Sequence, residues 1–194
     1  MRCRLPLVPR ARGISLILMD VDGVLTDGGI TLIEGNREAR TYDARDGVGL
    51  RLARRAGLRT GLISGRGNDA VSRRASELGI DEVHQRSEDK LATYLGILKR
   101  RRLRDAQVCF IGDDLPDLPV LLRAGLPVAV ADAHDEVRRR VPFVTRAPGG
   151  RGAVREVIDA ILKAQGAWDR LLAQYTRGAR AARARRTGHG RSAP

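Results

Sequence analysis

Short apolar runs alternate with amphipathic stretches through most of this 194-residue chain. Six runs have strand length and composition: Ser15–Met19, Arg59–Ile63, Glu82–His84, Gln107–Ile111, Pro127–Val130 and Phe143–Thr145. Between and after them, apolar residues recur at helical spacing in Val48–Ala56, Asn68–Leu78, Glu88–Arg102, Asp117–Ala124, Glu136–Arg140 and Ala153–Gln165. The alternation predicts an α/β fold, a Rossmann-like parallel sheet with helices on both faces. One segment breaks the rhythm. Gly29–Ile33 and Glu38–Tyr42 flank Glu34-Gly35-Asn36-Arg37, a pattern that predicts a β-hairpin inserted after the first strand. The insertion is too small to form a cap domain.

The length fits one domain with a full core, expected over residues 13–170. No apolar run approaches the ~20 residues that cross a bilayer. Near the start, Pro6, Pro9, Arg10 and Arg12 interrupt any signal-like stretch. Two cysteines, Cys3 in an expected ragged end and Cys109 in an expected core strand, suggest neither a disulfide framework nor a metal site. A cytoplasmic setting is expected.

The formal charge of +13 would suggest a nucleic-acid partner if it were evenly spread. It is not. Residues 1–12 carry four Arg and no acid, and residues 177–194 carry six Arg and no acid, which leaves +3 on residues 13–176. The basicity belongs to an N-terminal extension and an Arg-rich tail whose composition predicts disorder. With aromatics at 3%, stacking on single strands is not expected either.

Candidate chemistry sits at the strand ends, where ligands bind in open parallel sheets. The run Leu16–Met19 stops at Asp20, and Asp22 follows on the same face of an extended segment. Two close carboxylates repel each other, whereas a divalent cation such as Mg²⁺ selects them. Gly23 then lets the chain turn sharply. After Ile63 come Ser64, Gly65 and Arg66, a phosphate cradle at a helix start. After Ile111 come Gly112, Asp113 and Asp114, with Asp117 beyond. Lys90 opens a helix and is placed to neutralise a phosphate. Taken singly, each motif reads better as a turn, a helix cap or a solvated lysine. Four of them in order at strand ends describe phosphoryl transfer from an ester to Asp20. Asp22 acts as acid and then base, and Ser64 and Lys90 offset the phosphoryl charge. The Asp20 and Asp113 carboxylates with the Asp22 backbone carbonyl would hold Mg²⁺.

These motifs resemble the haloacid dehalogenase-like phosphatase superfamily. Within it the chain is similar to 3-deoxy-D-manno-octulosonate 8-phosphate phosphatases. The resemblance runs from about Leu16 to Asp169 and rests on residues 20–28, 45–51, 63–66, 111–120, 128–134 and 149–157. It implies a Mg²⁺-dependent phosphatase without a large cap, serving lipopolysaccharide precursor synthesis. It also implies a homotetramer in which hairpins like 29–42 form a central barrel and a neighbouring subunit helps close each site. Substrate contacts carried over from the family are Asp22, Asp43, Ala44, Arg45, Asp46, Gly47, Arg51, Arg66, Arg74 and Lys90. The substrate is then a sugar acid bearing a phosphate, which suits so many cations. The chain departs from the family at Asp43, where Asn is usual. A phosphatase for a nine-carbon nonulosonate 9-phosphate would use the same motifs. A non-catalytic assembly module would not need the intact Asp20, Asp22, Ser64, Lys90 and Asp113 set.

Overall fold

A computed structural model describes residues 2–3, 7–35 and 37–176. The predicted sheet is present. Its strands are β1 (Arg2–Cys3), β2 (Leu16–Met19), β5 (Arg59–Ile63), β6 (Glu82–His84), β7 (Val108–Gly112), β8 (Leu126–Ala129) and β9 (Phe143–Val144). They lie in the order β1-β9-β8-β7-β2-β5-β6, parallel except for β1, which pairs antiparallel with β9. The central strand β2 is buried at every position, as expected for a strand covered on both faces.

Helices flank the sheet. They include α1 (Leu7–Arg12), α2 (Ala44–Arg55), α3 (Asp69–Leu78), α4 (Lys90–Arg101), α5 (Leu118–Leu121), α6 (Asp135–Arg140) and α7 (Ala153–Ala164). The residues Val154, Val157, Ile158, Ile161 and Leu162 form one apolar stripe on α7, and all are buried on the helix that packs against α1 and α2. On the other side α4 packs with α5.

Several boundaries differ from the sequence expectation for identifiable reasons. Helix α2 starts at Ala44 rather than Val48 because the Asp43 carboxylate accepts the Arg45 N–H and caps it. The Arg45-Asp46-Gly47 run is therefore the first helical turn. The expected helix Asp117–Ala124 is divided into a 3₁₀ turn, Leu115–Asp117, and the four-residue α5, with Pro116 and Pro119 opening the two pieces. The expected ragged N-terminus contains α1, whose Ala11 is fully buried against α7. The side chain of Cys3 and the whole of 177–194 lie outside the described residues. Cys109 is a buried free thiol, and burial pushes its pKa up. The hairpin forms with short strands, β3 (Thr31–Ile33) and β4 (Arg37–Ala39). Among the described residues no helix is long and apolar enough to cross a membrane.

Candidate active site

Sheet register alone brings three predicted residues together. Met19 lies opposite Leu62 of β5 on one side and Ile111 of β7 on the other. Asp20, Ser64 and Asp113 therefore leave three adjacent strands at nearly the same level. The Asp20 N–H still donates to the Ile111 carbonyl at 3.0 Å, which fixes the carboxylate relative to β7. Asp20, Asp22, Ser64, Gly65, Arg66, Lys90, Asp113, Asp114 and Pro116 line one cavity of about 220 Å³ at this end of the sheet.

Gly23 permits the loop that follows. Its φ is +89°, and a Cβ there would lie 2.1 Å from Asp113 Oδ2. Thr26, buried beneath the loop, accepts the N–H groups of Gly23 and Gly28 and donates to the Val21 carbonyl. The segment Gly149–Gly150 packs so tightly on this loop that a Cβ on Gly149 would fall 1.7 Å from the Gly23 carbonyl oxygen. The segment thus meets this loop backbone on backbone.

At the floor of the cavity Lys90 Nζ lies between two carboxylates, 2.8 Å from Asp20 Oδ2 and 2.7 Å from Asp117 Oδ1. The other oxygen of Asp20 accepts the Val21 N–H at 2.7 Å. Burial and then the Asp117 charge push Asp20 up to about 7, against the opposing pull of Lys90 and the Val21 N–H. Burial, then Asp117 and Asp20, push Asp113 up to about 8. Burial by itself would lower the Lys90 ammonium, yet the Asp20 and Asp117 charges outweigh it and hold the pKa above its ordinary value. Single oxygens of Asp20, Asp113 and Asp117 lie within 4.8 Å of one another. A hard-oxygen cluster with two carboxyls forced toward protonation fits a divalent cation.

Asp117 is the site residue that the sequence left undecided. It is fully buried, its Oδ2 accepts the Asp113 N–H at 3.0 Å, and its Oδ1 takes Lys90. Asp114 instead accepts the Leu115 N–H and caps the 3₁₀ turn. Arg40 is a residue the sequence did not single out. Its Nε lies 2.9 Å from Asp22 Oδ1.

The remaining candidates occupy different places. Ser64 is buried at the cavity, and its Oγ accepts the Arg66 N–H. Arg66 Nη2 reaches Glu38 Oε1 of the hairpin at 2.8 Å. Arg74 lines a neighbouring cavity of about 370 Å³ with Arg40, Tyr42 and Ala44. A Cβ on Gly47 would fall 2.6 Å from Arg74 Nη2, the flexible end of that side chain. Asp43, where the chain departs from the family, is paired with Arg45, its Oδ2 2.6 Å from Nη2. Arg45 also donates to the Arg151 carbonyl. Asp46 is 1% exposed and accepts the N–H groups of Gly152 and Arg155, which places its carboxylate at the start of α7 rather than in the cavity. Arg51 is exposed on α2 and lines neither cavity.

Residues 63–158 match the model of the haloacid dehalogenase-like hydrolase family. The chain is 41% identical over 163 residues to the 3-deoxy-D-manno-octulosonate 8-phosphate phosphatase of Escherichia coli, covering 84% of this chain and 87% of that protein. The Yersinia pestis phosphatase of the same name is 43% identical over 159 residues, covering 82% and 85%. A crystal structure of a probable YrbI family phosphatase from Pseudomonas syringae superposes with a TM-score of 0.86 at 44% identity, covering 87% of this chain and 96% of that one. The Moraxella catarrhalis 3-deoxy-D-manno-octulosonate 8-phosphate phosphatase, solved with magnesium ion, phosphate ion and the KDO molecule, gives 0.85 at 38% identity, covering 87% and 97%. This chain belongs to the haloacid dehalogenase-like hydrolases and, within them, to the 3-deoxy-D-manno-octulosonate 8-phosphate phosphatases.

Proposed function

We propose that the protein is a Mg²⁺-dependent phosphomonoesterase that hydrolyses 3-deoxy-D-manno-octulosonate 8-phosphate to the free sugar acid and phosphate. The observation that carries the reading is the setting of Asp20. It is a carboxylate held from two sides by Lys90 and the Val21 N–H, at the floor of a cavity that Asp22, Ser64 and Asp113 share.

The Asp20 and Asp113 carboxylates and the Asp22 backbone carbonyl would hold Mg²⁺, with Asp117 fixing the Asp113 backbone beneath them. When bound, Mg²⁺ offsets charge on the transferring phosphoryl group. Asp20 attacks phosphorus, the ester P–O bond breaks, and the departing alkoxide takes a proton from Asp22. Water then attacks the aspartyl-phosphate, giving its proton to Asp22, and the bond from phosphorus to Asp20 breaks to release phosphate. Lys90 and the Ser64 hydroxyl face the phosphoryl oxygens and stabilise their charge in the transition state. Lys90 also lowers the Asp20 pKa in part against its burial, which favours the anion that attacks.

Arg66 and Arg74, with the Asp43–Gly47 turn beside them, supply the cationic surround for the sugar acid. Arg45 and Arg51 enter the site only if the side chains turn or a second subunit brings substrate to them. A homotetramer and a cytoplasmic setting belong to the same reading. The hairpin supports assembly, because Ile30, Leu32 and Ile33 are 42%, 77% and 43% exposed in the single chain. An isolated hairpin is marginal in water.

Phosphate release measured with Mg²⁺ over a panel of sugar phosphates tests the reading. Preference for the eight-carbon 2-keto acid is expected. Preference for a nine-carbon acid would move the substrate and keep the chemistry. No release from any ester would overturn the enzyme reading.

A further inference from the structure

Arg40 stands immediately beyond β4, and its side chain is fully withdrawn from solvent although the hairpin before it is largely exposed. Burying a guanidinium is unfavourable unless its charge is met. Two carboxylates meet it: Asp22 Oδ1 lies 2.9 Å from Nε, and Glu38 Oε2 lies 2.9 Å from Nη2. Glu38 is tied in turn to Arg66 and to Asn68 Nδ2 at 3.1 Å, so the guanidinium is braced from behind. The contact with Asp22 is close but not aligned as a hydrogen bond. Arg40 Nε and Nη1 and Asp22 Oδ1 therefore keep unused hydrogen-bonding capacity in a buried place. Native proteins rarely leave such groups unused without a functional reason. Among the described residues, no other side chain pairs with the Asp22 carboxylate.

We infer that Arg40 is a positioning residue for Asp22: its braced guanidinium holds the Asp22 carboxylate in the one orientation that faces the leaving-group oxygen. The inference rests on the reading of Asp22 as the acid–base group. A carboxylate on a short side chain samples several rotamers, and only one places an oxygen on the reacting ester. Catalytic hydrogen bonds are commonly misaligned before substrate arrives and tighten in the complex, which is the state of this pair. Arg40 belongs to the hairpin and Asp22 to the catalytic loop. The seating of the hairpin thereby sets the aim of the acid.

The test compares kcat/KM, which covers the steps up to departure of the alcohol, for two substrates of the full-length Mg²⁺-loaded protein. One is 3-deoxy-D-manno-octulosonate 8-phosphate, whose alkoxide needs a proton. The other is p-nitrophenyl phosphate, whose phenolate leaves without one. Arg40→Met is expected to lower kcat/KM for the sugar phosphate about 10-fold or more through kcat, with KM changed less than about threefold. The p-nitrophenyl ester should lose less than about threefold. Equal losses on both substrates would mean a merely structural role and overturn the inference, as would no loss on either. If Arg40→Met does not fold, Arg40→Lys keeps the charge, loses the planar contact, and should show the same split at smaller size. Asp22→Asn is the reference. If it loses sugar-phosphate turnover while Arg40→Met does not, only the role of Arg40 falls. If Asp22→Asn turns over normally, the acid–base reading falls with it.

Discussion

Lys90 Nζ lies 2.8 Å from the Asp20 carboxylate and is itself only 7% exposed. A buried ammonium in this position has two consequences. It partly offsets the desolvation that raises Asp20, and on the proposed reading it places a fixed positive charge where phosphoryl oxygens arrive. Asp117, on its far side, makes the arrangement a chain of carboxylate, ammonium and carboxylate in which Asp20 and Lys90 line the cavity and Asp117 does not. The sequence suggested a lysine that neutralises phosphate. The structure adds that the same lysine pulls the Asp20 pKa down against its burial.

Asp20→Asn removes the proposed nucleophile while nearly conserving side-chain volume. Turnover should fall by ~10⁴-fold or more. The far-ultraviolet circular dichroism spectrum should be unchanged. Phosphate release measured beside the spectrum checks both parts, and substantial residual hydrolysis would contradict the assignment.

Metal affinity should depend on pH in a defined direction. Asp20 and Asp113 sit at about 7 and about 8 in the metal-free fold, above the 3.8 of an ordinary aspartate. Between those limits the folded state holds more protons than the unfolded state, so the metal-free protein loses stability as pH rises toward 8. Mg²⁺ binds the deprotonated carboxylates and removes that penalty. The rise in melting temperature on adding Mg²⁺ should therefore grow between about pH 6 and pH 8.5. Thermal melts with and without Mg²⁺ read this directly, and a gain that shrinks with pH would contradict it.

Asp46→Ala separates a structural from a substrate role for the Arg45-Asp46-Gly47 turn. The carboxylate accepts two N–H groups at the start of α7, at 3.2 Å from Gly152 and 2.7 Å from Arg155. Removing it should cost about 1–2 kcal/mol, as for loss of a helix cap. In a chain of this size that corresponds to a fall of roughly 2–8 °C in melting temperature. Mg²⁺ affinity should be retained. A raised KM without any thermal loss would return Asp46 to the substrate.

Leu32→Glu addresses assembly. The side chain is 77% exposed on the hairpin, so the single chain gains nothing from its burial. A charge buried in a hairpin-to-hairpin contact is strongly unfavourable. Light scattering coupled to gel filtration should show a smaller assembly for the variant, with its circular dichroism unchanged. An unaltered mass would remove the hairpin from the interface.

The strand–helix alternation, the parallel sheet and the motifs at the ends of β2, β5 and β7 were legible in the sequence because they rest on local rules. Apolar runs mark buried strands, and ligand-bearing residues cluster where those strands stop. Given strand order, the register alone brings Asp20, Ser64 and Asp113 together. What the sequence could not decide depends on contacts between distant segments. Asp114 and Asp117 are the same residue type in one turn. Only the packing of that turn buries Asp117 beside Lys90 and leaves Asp114 as a cap. Asp46 looked like part of a binding turn until α7, more than a hundred positions later, placed its unsatisfied N–H groups against it. Arg40 looked like one more charge on an exposed hairpin. Its side chain is buried where it meets Asp22 of a distant loop, a placement that no local pattern of apolar and polar residues encodes. Sequence thus determined which chemistry this chain carries and at which end of the sheet. Tertiary structure decided which charges face one another there, since electrostatic pairing depends on distances through space that spacing along the chain does not set.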